Sequence, residues 1–333
     1  MLKVGIVGVT GYTGLELLRL LQHHPNVTVT HLFSQQFAGE SSGSHFPSCE
    51  AVPSSFEAFD PDSDYDFDCL FLAVPHATTH EYMHKLAKHA YKIVDLSADF
   101  RLNDAKLFES YYSSTHQNPD LLNEVPYGIP ELYADSIAHA NIVANPGCYS
   151  TTAILGLMPL CAEAVVSSVI IDAKSGVTGA GKSLKRESLY CEVNEHISSY
   201  ATNEHRHQAE LSEHLAVPVV FSPHLIPMQR GILCSSYVQT TKPFTKEQLV
   251  ALYKDFYDDC PFVTINSGSK ASTQGVVGSN RCDITLSVVN DTITIFSATD
   301  NLIKGAAGQA IQNFNVMFGL DQTLSLPIIG QSV

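Results

Sequence analysis

Cys148 stands in Asn145-Pro146-Gly147-Cys148-Tyr149, between a strand-like run, Asn141–Asn145, and a helical run, Thr151–Leu160. A thiol at a helix start meets the positive end of the helix dipole, which lowers its pKa and raises its thiolate fraction. The Pro-Gly turn into a helix therefore marks Cys148 as a nucleophile. The other cysteines, Cys49, Cys69, Cys161, Cys191, Cys234, Cys260 and Cys282, read as small buried apolar residues. None forms a C-x-x-C pair, and a chain of 333 residues does not need a disulfide scaffold. A thiolate attacking a carbonyl needs an acid–base partner, and Asn203-Glu204-His205-Arg206-His207 offers two imidazoles and a guanidinium. On an extended segment His205 and His207 point to the same face. An imidazole can protonate a developing oxyanion, and Arg206 can hold a carboxylate or phosphate. The spacing does not choose between the two histidines.

Two glycine-rich turns suit an anionic cofactor. Gly8-Val9-Thr10-Gly11-Tyr12-Thr13-Gly14 follows a strand and opens a helix, a G-x-x-G-x-x-G variant of the dinucleotide fingerprint. Its glycines let the backbone approach a pyrophosphate, and the helix start offers unpaired N–H groups. Ser175-Gly176-Val177-Thr178-Gly179-Ala180-Gly181-Lys182 follows a second strand, with Lys185 and Arg186 close behind. In a chain of net charge −15 this is a local basic spot for an anionic cofactor or substrate. Gly176–Ser183 has P-loop spacing, but the first strand already carries the nucleotide turn. The second strand ends at Phe33-Ser34-Gln35-Gln36, with no acid to take a ribose 2′-hydroxyl and Glu40 only beyond Gly39. The 2′-phosphorylated dinucleotide is therefore preferred, with Ser34 as a donor and no charge-assisted grip. His80-Glu81-Tyr82-Met83-His84 matches H-E-x-x-H, with His76 one turn earlier. A helix after Cys69–Val74 packs outside the sheet rather than lining a cleft, so this reads as a chance match and no metal is expected.

These residues must be positioned by an α/β scaffold. Leu2–Val7, Val27–Phe33, Cys69–Val74, Ile93–Leu96 and Asn141–Asn145 are strand-like. They alternate with helical stretches at Leu15–Gln22 and after Cys69–Val74 to about Ala90, a Rossmann-type parallel-sheet pattern. After about residue 165 the pattern changes. Val169–Ala173, Gly231–Gln239, Asp283–Val289 and Thr292–Ala298 read as strands of a largely antiparallel sheet, the last two joined by a turn at Asn290-Asp291. Helices are expected near Lys246–Tyr257 and from Leu302 to about Phe318, the latter ended by Gly319. The whole is an α/β dinucleotide-binding domain plus a second, α+β domain. A content of 44% hydrophobic and 16% charged residues supplies cores for both. The charge sum, 19 − 34 = −15, disfavours nucleic acid. No apolar run approaches the roughly 20 residues of a membrane span, and no signal-peptide core follows Met1. A cytoplasmic location is expected.

At these residues the chain resembles the N-acetyl-γ-glutamyl-phosphate reductase family of arginine biosynthesis. The resemblance covers almost the whole chain. It includes Gly8–Gly14, Asp95-Leu96-Ser97-Ala98-Asp99-Phe100-Arg101-Leu102, Asn145–Tyr149 and Ser175–Lys182. It continues with His205-Arg206-His207, Phe221-Ser222-Pro223-His224-Leu225 and Asp300-Asn301-Leu302-Ile303-Lys304-Gly305-Ala306-Ala307. It implies an NADP(H)-binding domain from residues 1–147 with 302–333, and a catalytic and dimerisation domain over 148–301. It implies reduction of a small-molecule acyl phosphate to an aldehyde through a thioester on Cys148, with acid–base help from His205 and His207. Arg101 and Arg206 would hold substrate. Gly8, Thr10, Gly11, Tyr12, Thr13, Gly14, Ser34, Ser175, Gly176 and Asn301 would hold the cofactor, Asn301 at its nicotinamide end. A homo-oligomer, dimer or tetramer, follows from the same resemblance. Many relatives carry a basic residue near Gln35-Gln36, and this chain does not. The rival readings are a reductase of aspartyl or carrier-linked aminoadipyl phosphate, and a nucleotide-sensing protein without catalysis. The His-Arg-His segment argues against the aspartyl enzyme, and the intact cysteine and histidines argue against the sensor.

Overall fold

The computed structural model describes residues 1–46, 53–89, 91–266, 268–290 and 292–331. Cys49, Ala90 and Asp291 lie outside the described residues. The chain forms two compact units, Met1–Pro146 with Ala306–Leu326, and Gly147–Gly305 with the residues from Pro327 onward.

The first unit is built on five strands, β1 Leu2–Val7, β2 Val27–Phe33, β3 Cys69–Leu72, β4 Lys92–Asp95 and β5 Ile142–Ala144, in the order β2-β1-β3-β4-β5. Every pair is parallel. β3 reads Cys-Leu-Phe-Leu and is buried throughout, as expected of a strand covered on both faces. The helix Tyr12–Leu21 lays Leu17, Leu18, Leu20 and Leu21 inward. The helix Gly308–Met317 is buried on nearly every side, although it carries two Gln and two Asn. Its polar side chains are hydrogen-bonded: Gln309 Nε2 and Asn313 Nδ2 donate to Gly128 O at 2.8 and 2.9 Å. The expected helix from Leu302 begins instead with a π-helical stretch, Ile303–Ala307. After β3, the expected single helix is two short pieces, a 3₁₀ turn at Thr79–Glu81 and a helical turn at Met83–Leu86. They are separated at Tyr82, whose φ is −127°.

The second unit holds a seven-stranded sheet of β6 Val166–Gly176, β7 Ser198–Ser199, β8 Val219–Ile226, β9 Ile232–Thr240, β10 Val263–Asn266, β11 Cys282–Val289 and β12 Thr292–Thr299. The order is β10-β11-β12-β9-β6-β8-β7. The pairs β11/β12, β12/β9, β6/β9 and β7/β8 are antiparallel. The pairs β10/β11 and β6/β8 are parallel, so the sheet is largely antiparallel, as the sequence suggested, with two parallel pairings added. One face packs on the helix Cys148–Ala162, whose Ala153, Ile154, Leu155, Leu157 and Leu160 are fully buried. A Cβ on Gly156 would lie 2.8 Å from Ser297 Oγ of β12, so glycine sets how closely helix and sheet approach. Pro159 lies inside this helix and has no N–H for the carbonyl of Leu155. Tyr257 supplies the missing donor, its hydroxyl meeting Leu155 O at 2.6 Å.

Candidate active site

Cys148 is the first residue of its helix and is partly exposed. Gly147, the preceding residue, is extended (φ −70°, ψ 148°) and no side chain caps the helix start. Two neighbours press on this point. Gly147 N donates to Glu210 Oε2 at 3.0 Å, a carboxylate with no solvent exposure. On the other side, a Cβ on Gly305 would lie 2.8 Å from Cys148 Cβ, so any larger residue there would displace the thiol.

The two histidines meet by a different route from the one their spacing suggests. The segment is turned rather than extended: His205 N donates to Ala201 O at 2.8 Å, and Gln208 N to His205 O at 2.8 Å. His207 begins the helix His207–Leu215. Their rings lie 4.6 Å apart at 72°. His207 N donates to His205 Nδ1 at 3.1 Å, which makes that nitrogen an acceptor. The rings of Tyr149, Tyr200 and Phe221 enclose His205, their centroids 5.5 to 5.7 Å from its own. Burial, and then the neighbouring Arg206 charge, pull His205 down to about 4, so it is neutral at pH 7. His207 is placed differently. Its Nε2 would lie 2.3 Å from a Cβ on Gly147, and it is 3.9 Å from Glu210 Oε1. Arg206 is exposed at the helix start. Tyr149 donates its hydroxyl to His224 O at 3.1 Å.

The second glycine-rich loop and Asn301 are also brought together. Ser175 is buried at the end of β6, and its hydroxyl donates to Gly176 O at 3.0 Å. A Cβ on Gly176 would lie 2.7 Å from Gln229 O. Asn301 Nδ2 donates to Thr178 Oγ1 at 2.9 Å and its Oδ1 accepts from Gly231 N at 2.8 Å, so both ends of the amide are engaged. The buried Asp300 beside it accepts from Leu302 N and Gly278 N, both at 2.8 Å, and pairs with Arg230 at 3.1 Å. These bonds fix the turn that leads to Gly305.

In the first unit, Gly8 has φ +78° and a Cβ there would lie 2.2 Å from Ala73 O. A Cβ on Gly14 would lie 2.3 Å from Gly8 O. Gly11 caps the helix Tyr12–Leu21 with no side chain, leaving the N–H groups of Tyr12, Thr13 and Gly14 at an open helix start. This cradle fits a dinucleotide pyrophosphate. Thr10 Oγ1 and Ser34 Oγ are 3.2 Å apart, tying the turn to the end of β2. Gln35 and Gln36 are exposed. An acid does reach this end in space: Glu57 pairs with Phe33, its N donating to Leu32 O at 2.9 Å and its O accepting from Ser34 N at 3.0 Å. Arg101 is buried, donating from Nε to Asn145 O at 2.7 Å and from Nη2 to Leu96 O at 2.9 Å. It braces the strand end that precedes Pro146.

The H-E-x-x-H histidines fall on separate short pieces. His80 is buried, its Nδ1 accepting from Gln117 N at 3.1 Å, whereas His84 is exposed. Among the described residues no three His, Cys, Asp or Glu side chains are grouped to hold a metal. Sequence reasoning missed Glu210 and the packing role of Gly305. The i,i+3 spacing of His207 and Glu210 on one helix was the available signal for the first.

Two family models match the chain. "Semialdehyde dehydrogenase, NAD binding domain" covers residues 3–140, and "Semialdehyde dehydrogenase, dimerisation domain" covers 148–301. A curated protein of Geobacter sp. (strain M21) named N-acetyl-gamma-glutamyl-phosphate reductase is 45% identical over 99% of both chains. One of the same name from Campylobacter jejuni subsp. jejuni serotype O:6 is 43% identical over 96% of both. Among solved structures, aspartate semialdehyde dehydrogenase II of Vibrio cholerae, complexed with ASA, superposes with a TM-score of 0.73 at 15% identity, over 96% of this chain and 98% of that one. Aspartate semialdehyde dehydrogenase of Candida albicans, with NADP, gives 0.71 at 13%, over 96% and 98%. At such identities these two carry the fold alone.

Proposed function

This chain belongs to the N-acetyl-gamma-glutamyl-phosphate reductase family, and from that premise we propose that it reduces N-acetyl-L-glutamyl 5-phosphate to N-acetyl-L-glutamate 5-semialdehyde and phosphate through a thioester on Cys148. The observation that carries the reading is the convergence at one helix start of Cys148, the His207 ring against Gly147, and Glu210 on the Gly147 N–H.

The Cys148 thiolate attacks the acyl carbon, and the C–O bond to phosphate breaks as the C–S bond forms. The N–H groups at the uncapped helix start lie where a developing oxyanion gains most from them. The first unit, through Gly8, Thr10, Gly11, Tyr12, Thr13, Gly14 and Ser34, binds NADPH, which when bound supplies the hydride that brings the acyl group to the aldehyde level. Ser175, Gly176 and Asn301 would also hold the cofactor. The oxyanion left by hydride addition takes a proton from an imidazolium, and the thiohemiacetal on Cys148 then collapses, its hydroxyl proton returning to that base while the thiolate leaves. His207 is that base, because Glu210 stands beside it and can hold the imidazolium. His205, neutral and enclosed by aromatic rings, orients His207 through the bond to its N–H. Arg206, exposed at the start of its helix, holds the substrate's carboxylate. Arg101, occupied with backbone carbonyls, serves the substrate only by bracing the strand end before Pro146.

The protein works as a homo-oligomer through the second unit. Ile170, Val220 and Tyr237 stand side by side on β6, β8 and β9, 51%, 44% and 41% exposed, on the sheet face away from the Cys148 helix. A second copy covers this row, and a monomeric mass by sedimentation would remove the claim. No helix among the described residues is long and apolar enough to cross a membrane, and we place the protein in the cytoplasm.

Phosphate-dependent NADP⁺ reduction with a panel of semialdehydes tests the reading. N-acetylglutamate semialdehyde should be oxidised with the highest kcat/KM, and NADP⁺ should exceed NAD⁺ by a modest factor, since Glu57 pairs with Phe33 at the end of β2 and Gln35 and Gln36 carry no charge. Preference for aspartate semialdehyde, or no turnover with any of the panel, would overturn it.

A further inference from the structure

In the first unit the chain leaves β3 at Leu72 and runs through Ala73-Val74-Pro75-His76-Ala77-Thr78 before the turn at Thr79. This loop starts against the glycine turn. Ala73 N donates to Val7 O at 2.9 Å, and Ala73 O is the atom that excludes a Cβ at Gly8. It lies at the C-terminal ends of β1 and β3, between which the strand order reverses, and in open parallel sheets that crevice receives the ligand. The loop has no regular structure, and Ala77 is left-handed at φ +56°. A residue with a side chain keeps that conformation only when its surroundings hold it.

One carboxylate from the segment after β4 does the holding. Asp99 Oδ1 accepts from Ala77 N at 2.7 Å, and Oδ2 accepts from Thr78 N at 2.8 Å and His80 N at 3.1 Å. The Thr79 hydroxyl joins Asp99 at 3.2 Å, Asp95 at 2.9 Å and Ser97 at 2.8 Å. Thr79, Asp95, Ser97 and Asp99 are fully buried. Two carboxyl groups sharing a hydroxyl in a dry site are costly, and burial together with the Asp99 charge pushes Asp95 up. A fold that needed only a turn here could close it with backbone bonds or an ordinary cap. The arrangement instead gathers the N–H groups of Ala77, Thr78 and His80 onto one buried anion, while Val74–Thr78 stay partly exposed.

We propose that Asp99 is a positioning residue for dinucleotide binding, fixing the Ala73–Thr78 loop as the second wall of the crevice beside Gly8–Gly14. This rests on the reading that the unit takes NADP(H). Asp99→Asn keeps the shape but points an NH₂ at backbone N–H donors, and should release part of the loop.

The test measures NADPH affinity by fluorescence titration, with kcat and the KM of each substrate, for wild type and Asp99→Asn. The dissociation constant and KM for NADPH should rise about tenfold or more, since bonds to a charged acceptor are lost. The KM for the acyl phosphate and kcat at saturating NADPH should stay within about twofold, a split that general loosening of the fold would not give. An Asp99→Asn protein with wild-type NADPH affinity overturns the proposal, and so does one whose kcat and both KM values change together. Amide hydrogen exchange on the wild-type apoprotein provides an arm that no folding failure can spoil. The amides of Ala77, Thr78 and His80 should be protected before any cofactor is added, and free exchange there overturns the proposal too. If wild-type protein binds neither NADPH nor NADH, it is the reading of the unit that fails.

Discussion

At the scale of single residues, the chemistry divides among groups that look alike in the sequence. Cys148 is set apart from the six other described cysteines by opening a helix of 15 residues; Cys69 and Cys234, by contrast, are buried within strands and their thiols are pushed up by burial. Cys148→Ser should therefore lose roughly three orders of magnitude or more in turnover while NADPH titrates as in wild type, because an alcohol is a far weaker nucleophile at neutral pH. Near-wild-type turnover would refute the covalent route. The histidines separate as well. His207→Ala should cost on the order of 10²–10⁴ in kcat. His205→Ala, which removes a neutral ring and one hydrogen bond to the His207 backbone, should cost about tenfold, and the reverse ranking would exchange their roles.

At the scale of elements, glycines decide which groups can meet. Gly147 is the pivot of the site, since the His207 ring occupies the space a Cβ would take. Gly147→Ala should move the ring or the thiol and lower kcat about 10²-fold, the usual cost of misplacing a reacting group by about an ångström. NADPH affinity should be unchanged, because the Gly8–Gly14 cradle is untouched; a variant with wild-type kcat would show that the ring is not fixed there. Much of this was legible beforehand. The turn at Gly8 and the strand–turn–helix at Gly147 depend on local chemistry, and period-2 and helical patterns in Val27–Phe33 and Thr151–Leu160 report local structure directly. What local pattern could not give was pairing at a distance. The strands β8 and β10 lie parallel to partners far along the chain, and their half-buried residues give little alternation. The His205 segment reads as extended because nothing in its own residues records that Ala201 O would receive His205 N. Glu57 reaches the end of β2 only through a bridge across 24 residues, so no count from Phe33 could find it.

At the scale of the whole molecule, stability carries a pH signature from Asp95. Burial and the neighbouring Asp99 raise its folded carboxyl to about 7, against 3.8 in an open chain. Between those values the folded protein binds the extra proton, so this contribution to stability is full below about 4 and is lost as pH rises through about 7. Asp95→Asn should flatten that fall: the difference in Tm between wild type and variant should shrink or change sign on going from pH 5 to pH 8. A constant difference across the range would show that Asp95 is already ionised when folded.

The helix Gly308–Met317, with its buried amides clasping Gly128, belongs to a unit whose larger part, Met1–Pro146, was made more than 160 positions earlier. A ribosome releases those two parts of one core well apart in time. The second unit, nearly contiguous over Gly147–Gly305, can therefore close while the nascent nucleotide-binding sheet still waits for its last helix. The unit begun first gains its last helix only after the main body of the other has been made, and during that interval its unfilled seam is what a chaperone would meet.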